Sequence, residues 1–197
     1  MKYSENNLIY LPLGGSGEIG MNCNLFHFKD SWLMIDLGVT FNDNDSGAYD
    51  LILPNIEFLK DKINKLSALV LTHAHEDHIG AVPYLYENLG SPPIFCTAFT
   101  ASVLKRKFES MGTNNIKINL LKYGSEFNFG PFTIELFSMT HSIPESSSIL
   151  IKTQNGNIFH TGDWKIDPQP LVGDPIDDSN LKVKLKDRVD IMICDST

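Results

Sequence analysis

Six consecutive residues carry most of the chemistry this chain can offer. His73-Ala74-His75-Glu76-Asp77-His78 places three imidazoles and two carboxylates in one short segment. Imidazole nitrogen and carboxylate oxygen are the donors that suit a borderline-to-hard divalent cation, zinc first and manganese as the alternative. In an extended segment His73 and His75 point the same way. Asp77 and His78, at the turn into a helix, can point towards a second position, and two cations about 3.5–4 Å apart would need such a split. One loop holds too few donors for two ions. The remaining candidates lie downstream: His141, and Asp163 in Thr161-Gly162-Asp163, each after a strand-like run. A carboxylate has two oxygens and can bridge two cations, which fits Asp163. His27 and His160 lie inside or beside apolar strand patterns without a ligand partner at short spacing, and they read as structural histidines.

The elements that must position these groups are legible in outline. Leu66 to Leu71 (LSALVL) is a compact, mostly apolar run, as expected of a strand buried on both faces. The histidine segment follows at its C-terminal end, where α/β folds concentrate function. Ile79 to Leu89 then shows helical apolar spacing closed by Gly90 and Pro92. Upstream, Leu8 to Leu13 reads as a strand ending in the glycine-rich turn Gly14–Gly20, and the runs ending at Phe28 and Ile35 around Lys29–Ser31 read as a hairpin. Residues 42 to 50 read as a loop, and Pro54 opens a helix over Asn55–Lys65. Downstream come a strand at Ile94–Cys96 and a helix from Ala98 to Met111, with Lys105, Arg106 and Lys107 on its outer side. Short strands follow at Ile116–Leu121, Phe127–Phe129, Phe132–Phe137, Ser147–Lys152 and Asn157–Phe159, the last two joined by the turn formers Asn155-Gly156. Residues 167 to 188 read as a loop or loose helix, and Val189 to Cys194 as a final strand of the buried type.

Composition bounds the answer. The chain has 197 residues, 42% hydrophobic and 20% charged, which excludes disorder and fits one domain with a real core. No run of about 18 apolar residues is present, so no membrane span is expected, and the start does not read as a signal peptide. Cys23, Cys96 and Cys194 lie far apart, which suits buried or semi-buried thiols in a cytoplasmic protein rather than disulfides or a cysteine zinc site. Sixteen Lys and Arg against 24 Asp and Glu give a net charge of −8. That balance argues against binding nucleic acid by charge alone, but it leaves room for a nuclease whose cations supply positive charge locally.

Gly15-Ser16-Gly17-Glu18-Ile19-Gly20 matches the dinucleotide fingerprint G-x-G-x-x-G, with Asp36 near the spacing of a ribose-binding acid. The fingerprint needs a helix directly after the glycines. Met21 to Phe28 runs into a hairpin-like turn instead, so a tight turn that lets backbone approach the metal site or substrate is the better reading.

His-x-His-x-Asp-His resembles the signature of the metallo-β-lactamase superfamily. The chain is similar, more narrowly, to the amino-terminal part of the ribonuclease J family of the β-CASP branch. That likeness rests on Leu13-Gly14-Gly15-Ser16-Gly17-Glu18-Ile19-Gly20, Ile35-Asp36-Leu37-Gly38, Leu71-Thr72-His73 through His78-Ile79-Gly80, Thr140-His141-Ser142-Ile143-Pro144 and Thr161-Gly162-Asp163-Trp164-Lys165. It implies an α/β (α+β) chain with the αββα sandwich, present here as an amino-terminal portion (1–197) lacking the carboxy-terminal strands and the β-CASP insertion. It implies one zinc on His73, His75 and His141, another on Asp77 and His78, and Asp163 bridging. Asp36 would support the metal loop. Asp195, in Cys194-Asp195-Ser196-Thr197, and Asp77 would be the catalytic carboxylates, Asp195 as proton donor to the leaving group and Asp77 doubling as a ligand. Only a protonated carboxyl can donate, so that role asks for burial or neighbouring negative charge.

The reaction implied is phosphodiester hydrolysis of RNA, in RNA processing and decay, leaving a 5′-phosphate; whether endo- or exonucleolytic stays open. Lys105, Arg106 and Lys107 could touch the RNA backbone or form a solvated helix face. The family continues well beyond Thr197, with a late histidine that completes the second site, and here no histidine follows His160. The chain is therefore expected to be a fragment or a naturally shortened form, with room for a homo-oligomer in the full-length form. Two other readings remain: a small-molecule thioester or lactone hydrolase with the same metal pair, or a non-catalytic metal-binding fragment.

Overall fold

The computed structural model describes residues 4, 6–41, 51–186 and 188–196. The loop expected at 42 to 50 lies outside these residues. In chain order the strands are β1 (Ile9–Gly14), β2 (Cys23–Phe28), β3 (Ser31–Ile35), the short pair β4 (Thr40–Phe41) and β5 (Leu51–Ile52), β6 (Leu66–Val70), β7 (Ile94–Cys96) and β8 (Ile118–Leu120). Then come β9 (Glu126–Phe129), β10 (Phe132–Met139), β11 (Ser146–Thr153), β12 (Gly156–His160) and β13 (Ile191–Ile193). One sheet runs β1-β2-β3-β6-β7-β8 and the other β13-β12-β11-β10-β9. The first is antiparallel through the expected hairpin, where His27 faces Trp32, and parallel from β3 to β8.

The period of two along β3 and β6 explains why their sequences are continuously apolar. Leu33 and Ile35 of β3, with Ala68 and Val70 of β6, face the second sheet and meet Phe132, Ile134, Leu136, Ile149 and Ile151. Trp32 and Met34, with Leu69 and Leu71, face the other way. There they are covered by a 3₁₀ helix (Glu57–Lys65) and by α1 (Glu76–Ile79), α2 (Val82–Leu85) and α3 (Ala98–Ser110), through Leu59, Ile79, Val82, Leu104 and Phe108. On the outer face of the second sheet, α4 (Asp178–Leu185) lays Leu181 and Leu185 against Phe137, Leu150 and Phe159. The layers are helix, sheet, sheet, helix, the expected sandwich. Glu135, buried under α4, meets Lys152 at 2.9 Å, Lys184 at 3.4 Å and Arg188 at 3.6 Å. Burial would raise its pKa, but Lys152 and Lys184 hold it below the usual value.

Several elements differ from expectation. The helix expected over Ile79–Leu89 is two short helices, the first opening inside the histidine segment at Glu76 and the second carrying Pro83 in its first turn. The break falls at Ala81, whose N–H donates to the Leu37 carbonyl at 3.0 Å instead of to Asp77, whose carbonyl accepts from Asn22. The helix expected over Asn55–Lys65 is of the tighter 3₁₀ type and starts at Glu57, whose N–H donates to the Asn55 side chain. Within 167–188, α4 is a defined helix capped by Asp177, which accepts from the Asn180 N–H at 2.9 Å. The β11–β12 turn is Gln154-Asn155, with Gly156 already in β12. β13 is not a buried strand: it pairs in parallel with β12 at the sheet edge, and Ile191 and Met192 are more than half exposed. Cys194 is exposed, whereas Cys23 and Cys96 are buried. In agreement with expectation, the glycine-rich turn is followed by β2 and not by a helix, which removes the dinucleotide fingerprint.

Gly38 is the tightest point of contact in this part of the fold. A β-carbon there would lie 1.7 Å from the Asp77 carbonyl oxygen. Gly38→Ala must therefore push apart the 37–39 segment and the histidine segment, and it is expected to lower unfolding free energy by about 1–3 kcal/mol. Urea unfolding checks this, and a change within about 0.5 kcal/mol, ordinary for a surface substitution, would contradict the packing described.

Candidate metal centre

The site begins with backbone pairing that no helix or sheet accounts for. Leu37 N–H donates to the His78 carbonyl at 2.8 Å, Val39 N–H to Glu76 at 3.0 Å, and Asn22 N–H to Asp77 at 2.8 Å. The residues after β3 therefore form a strap that fixes the turn from β6 into α1. His73, at the end of β6, is fully buried, and His75 is the extended residue preceding α1. His141 follows β10, and Asp163 follows β12. The Asp163 segment is tied in through the Ser146 hydroxyl, which donates to the Asp163 carbonyl at 3.0 Å, and through Lys165 N–H, which donates to the Thr140 carbonyl at 2.8 Å. Both sheets thus send residues to one edge of the sandwich.

Asp36 sets the orientation of the imidazoles. Its carboxylate, wholly buried, accepts from Thr72 N–H at 2.8 Å, the Thr72 hydroxyl at 2.8 Å and His78 Nδ1–H at 2.8 Å. Since the Thr72 hydrogen goes to Asp36, Thr72 Oγ1 accepts from His73 Nδ1 at 3.0 Å. Both rings are then held with Nε2 directed away from Asp36. His73 Nε2 lies 3.1 Å from His75 Nδ1, and His75 Nδ1 lies 3.1 Å from His141 Nε2. His78 Nε2 lies 3.2 Å from Asp163 Oδ1 and 3.4 Å from Asp77 Oδ2. The other oxygen of Asp163 lies 3.7 Å from His141 Nε2, so this carboxylate stands between the two groups.

Electrostatics divides the groups. Burial, with the neighbouring charges of His78, His75 and His141, holds His73 far below the usual histidine range, so it offers a lone pair. Burial also lowers His141, partly opposed by Asp163. His78 is the reverse: burial would strip its proton, yet the charge of Asp36 and the hydrogen bonds it donates to Asp163, Asp36 and Asp77 hold it well above the usual value. Burial would raise Asp77 and Asp163, but His78 outweighs it and holds both low. A place that retains a proton this firmly favours positive charge. The donor set fits a divalent cation: bonds of 2.0–2.1 Å around a tetrahedral ion put neighbouring ligand atoms about 3.3 Å apart, close to the separations found here.

A cavity of about 420 Å³ opens on this cluster, lined by the glycine-rich turn, Asn22, Asp77, His78, Asp163 and Asp195. Asp195 is held there by its N–H, which donates to Thr161 Oγ1 at 3.0 Å. Of the residues singled out by sequence, His73, His75, Asp77, His78, His141 and Asp163 converge, Asp36 supports them, and Asp195 shares the cavity wall. His27 is away from the cluster, packed on Trp32 with ring centroids 4.7 Å apart. His160, read as structural, is buried with Nδ1 accepting from Gly162 N–H at 3.1 Å, yet it lines the same cavity. Asn22 was missed altogether; a polar residue directly after a glycine-rich turn was the available signal. Lys107 does not simply face outwards, since its ammonium pairs with Glu76 at 2.5 Å. Beside Asn22, Cys23 is fully buried, and burial with the charge of Asp36 pushes its thiol up to about 12.

Two outcomes follow. Asp36→Ala leaves three buried donors without their acceptor and is expected to cost about 3–5 kcal/mol; a loss below about 1 kcal/mol in denaturant unfolding would remove Asp36 from its central place. The stabilisation from raised His78 is fully present below about pH 6.5 and is lost as pH rises through its folded value, whereas that from Asp77 and Asp163 is lost as pH falls through theirs. Cation uptake at His78 must displace its proton. Calorimetric titration with Zn²⁺ in two buffers of different ionisation enthalpy should show proton release and weaker binding at lower pH; pH-independent uptake would contradict this.

The β-lactamase superfamily domain model matches residues 32–188. Ribonuclease J of Sinorhizobium meliloti is 42% identical over 199 residues, covering 98% of this chain and 35% of that protein. Ribonuclease J of Thermus thermophilus is 39% identical over 176 residues, covering 86% of this chain and 31% of that protein. The chain thus spans about a third of the length of these relatives. Among solved structures, the short form of human tRNase Z superposes with TM-score 0.61 at 15% identity, over 95% of this chain and 78% of that one. A metallo-β-lactamase from Cronobacter sakazakii superposes with TM-score 0.58 at 17% identity, over 82% and 64%. These two show the fold alone. With its helix–sheet–sheet–helix layers and its histidine and aspartate cluster at the sandwich edge, the chain belongs to the β-lactamase superfamily in its metallo-β-lactamase form.

Proposed function

We propose that this chain is the metal-binding portion of a ribonuclease of the ribonuclease J kind, a cytoplasmic enzyme that hydrolyses RNA phosphodiester bonds in RNA processing and decay. The observation that carries the reading is the pair of donor groups joined by Asp163 beside an open polar cavity that also holds Asp195. The ribonuclease J relatives supply the substrate class. Among the described residues no helix is long and apolar enough to cross a membrane.

His73, His75 and His141 would hold one ion, and Asp77 and His78 the other, with Asp163 shared. Zinc suits the three-histidine group, and manganese is the alternative. When bound, such a pair lowers the pKa of water towards about 7 and offsets negative charge on a phosphate. The remaining work falls to the chain. Asp36 and Thr72 keep the rings of His73 and His78 aimed, so that no reorganisation is needed during reaction. The glycine-rich turn brings backbone, without side chains, to the cavity wall, where a phosphate can approach. Asp195 faces the same cavity as a proton donor: as a water oxygen bonds to phosphorus and the bond to the 3′ oxygen breaks, the Asp195 proton would pass to that oxygen, the proton lost by the water would restore the carboxyl, and the phosphate would stay on the 5′ side. Lys105 and Arg106 lie exposed on α3 and are available to RNA backbone.

Incubation with a 5′-monophosphorylated RNA and Zn²⁺ or Mn²⁺ tests the reading. Cleavage to 5′-phosphorylated products, stopped by EDTA and restored by cation, is the expected result. Asp195→Asn should lower kcat about 10²–10⁴-fold at unchanged metal content, the range for loss of a general acid. Thioester hydrolysis in preference to RNA, or cleavage unaffected by EDTA, would overturn it.

A further inference from the structure

Asn22 stands outside the histidine segment, at the end of the glycine-rich turn, yet its carboxamide reaches the second donor group. Asn22 Nδ2 lies 3.1 Å from His78 Nε2 and 3.4 Å from Asp77 Oδ2. Those separations match the 3.2 Å from His78 Nε2 to Asp163 Oδ1 and the 3.4 Å to Asp77 Oδ2. Three groups, those of Asn22, Asp77 and Asp163, therefore stand around His78 Nε2 at about the distance of a neighbouring ligand on one small cation, about 3.3 Å for tetrahedral bonds of 2.0–2.1 Å.

The backbone holds this side chain in place. Asn22 N–H donates to the Asp77 carbonyl at 2.8 Å, and the Asn22 carbonyl accepts from Gly38 N–H at 2.9 Å. Met21, just before it, adopts φ +50, a left-handed conformation that non-glycine residues hold only when their surroundings enforce it. Behind the carboxamide is Gly15, where a β-carbon would lie 2.3 Å from Asn22 Oδ1. The missing side chain at Gly15 is what leaves room for Asn22. As placed, Nδ2 lies against His78 Nε2, a nitrogen whose proton is directed to Asp163 and Asp77. A half-turn about the Cβ–Cγ bond exchanges Nδ2 for Oδ1, an acceptor with two lone pairs that suits a cation.

We propose that Asn22 is a further ligand that this chain itself supplies at the second cation position, turning Oδ1 onto a divalent ion held by Asp77, His78 and Asp163. The proposal rests on the two-cation reading of the centre. A carbonyl oxygen suits Mn²⁺ better than a purely imidazole set does, so Asn22 makes this position harder in character than the three-histidine one.

The test is Mn²⁺ binding to this chain, followed by the electron paramagnetic resonance signal of free Mn²⁺, for the unchanged protein, Asn22→Ala and Asn22→Asp. Two ions are expected on the unchanged protein. Asn22→Ala should weaken the second at least tenfold and leave the first within twofold, the latter showing that the variant is folded. Asn22→Asp, which keeps an oxygen in place, should bind the second ion at least as tightly as the unchanged protein. If Asn22→Ala loses both ions through misfolding, Asn22→Asp decides: a tenfold weakening there overturns the proposal, and retained binding supports it. Both variants within twofold of the unchanged protein, with two ions bound, would overturn the role of Asn22 while leaving the metal centre standing. A single ion on the unchanged protein also overturns it. No uptake of Mn²⁺ or Zn²⁺ at all would overturn the metal-centre reading itself, and this proposal with it.

Discussion

A single buried carboxylate, that of Asp36, organises the site. Three donors converge on it, and two of them determine where imidazole lone pairs point. Removing such a charge from water costs several kcal/mol, and only a full set of hydrogen bonds offsets that cost. Asp36 also sits at φ +63, a conformation that non-glycine residues seldom adopt. That backbone turn ends β3 and sends the 37–39 strap across to α1. The carboxylate and the strap therefore act together, one aiming the rings and the other fixing the loop that bears them.

The second constraint is that ligands come from both sheets. The histidine segment follows β6 of one sheet, while His141 and Asp163 follow the C-terminal ends of β10 and β12, which flank β11 in the other. Tight backbone approaches fix each set of ligands on its own sheet. Gly162 adopts φ +56, and a β-carbon there would lie 2.5 Å from the Ser147 carbonyl oxygen. Gly38 plays the equivalent part against Asp77. Glycine is required at these points by the geometry of close approach, not by flexibility.

How much of this was legible in sequence depends on how local each cause is. His73 to His78 could be read directly because the donors are contiguous and follow an apolar strand. His141 and Asp163 could be read because strand ends at a common edge are a general rule of layered folds. Asn22 could not: its place depends on backbone bonds to Asp77 and Gly38, many residues away in sequence, and on an empty space at Gly15. His160 was read as structural from its apolar surroundings, and burial agrees, but spacing along a strand does not reveal which cavity a side chain borders. The helix expected after His78 was interrupted where Ala81 N–H bonds to the distant Leu37 carbonyl rather than back along the helix. β13 looked buried because its residues are apolar; its exposure follows from its edge position, which composition does not encode.

The thiol of Cys23 gives the arrangement a chemical consequence. Sulfur binds soft and borderline metals, and reacts with oxidants, as thiolate. With its pKa pushed up to about 12, chiefly by burial, Cys23 keeps its proton at neutral pH. The charge of Asp36, which helps raise it, is the same charge that aims the nitrogen donors. Burial first, and this carboxylate second, thus keep the adjacent sulfur protonated while the same carboxylate aims the nitrogen donors that a passing metal ion encounters.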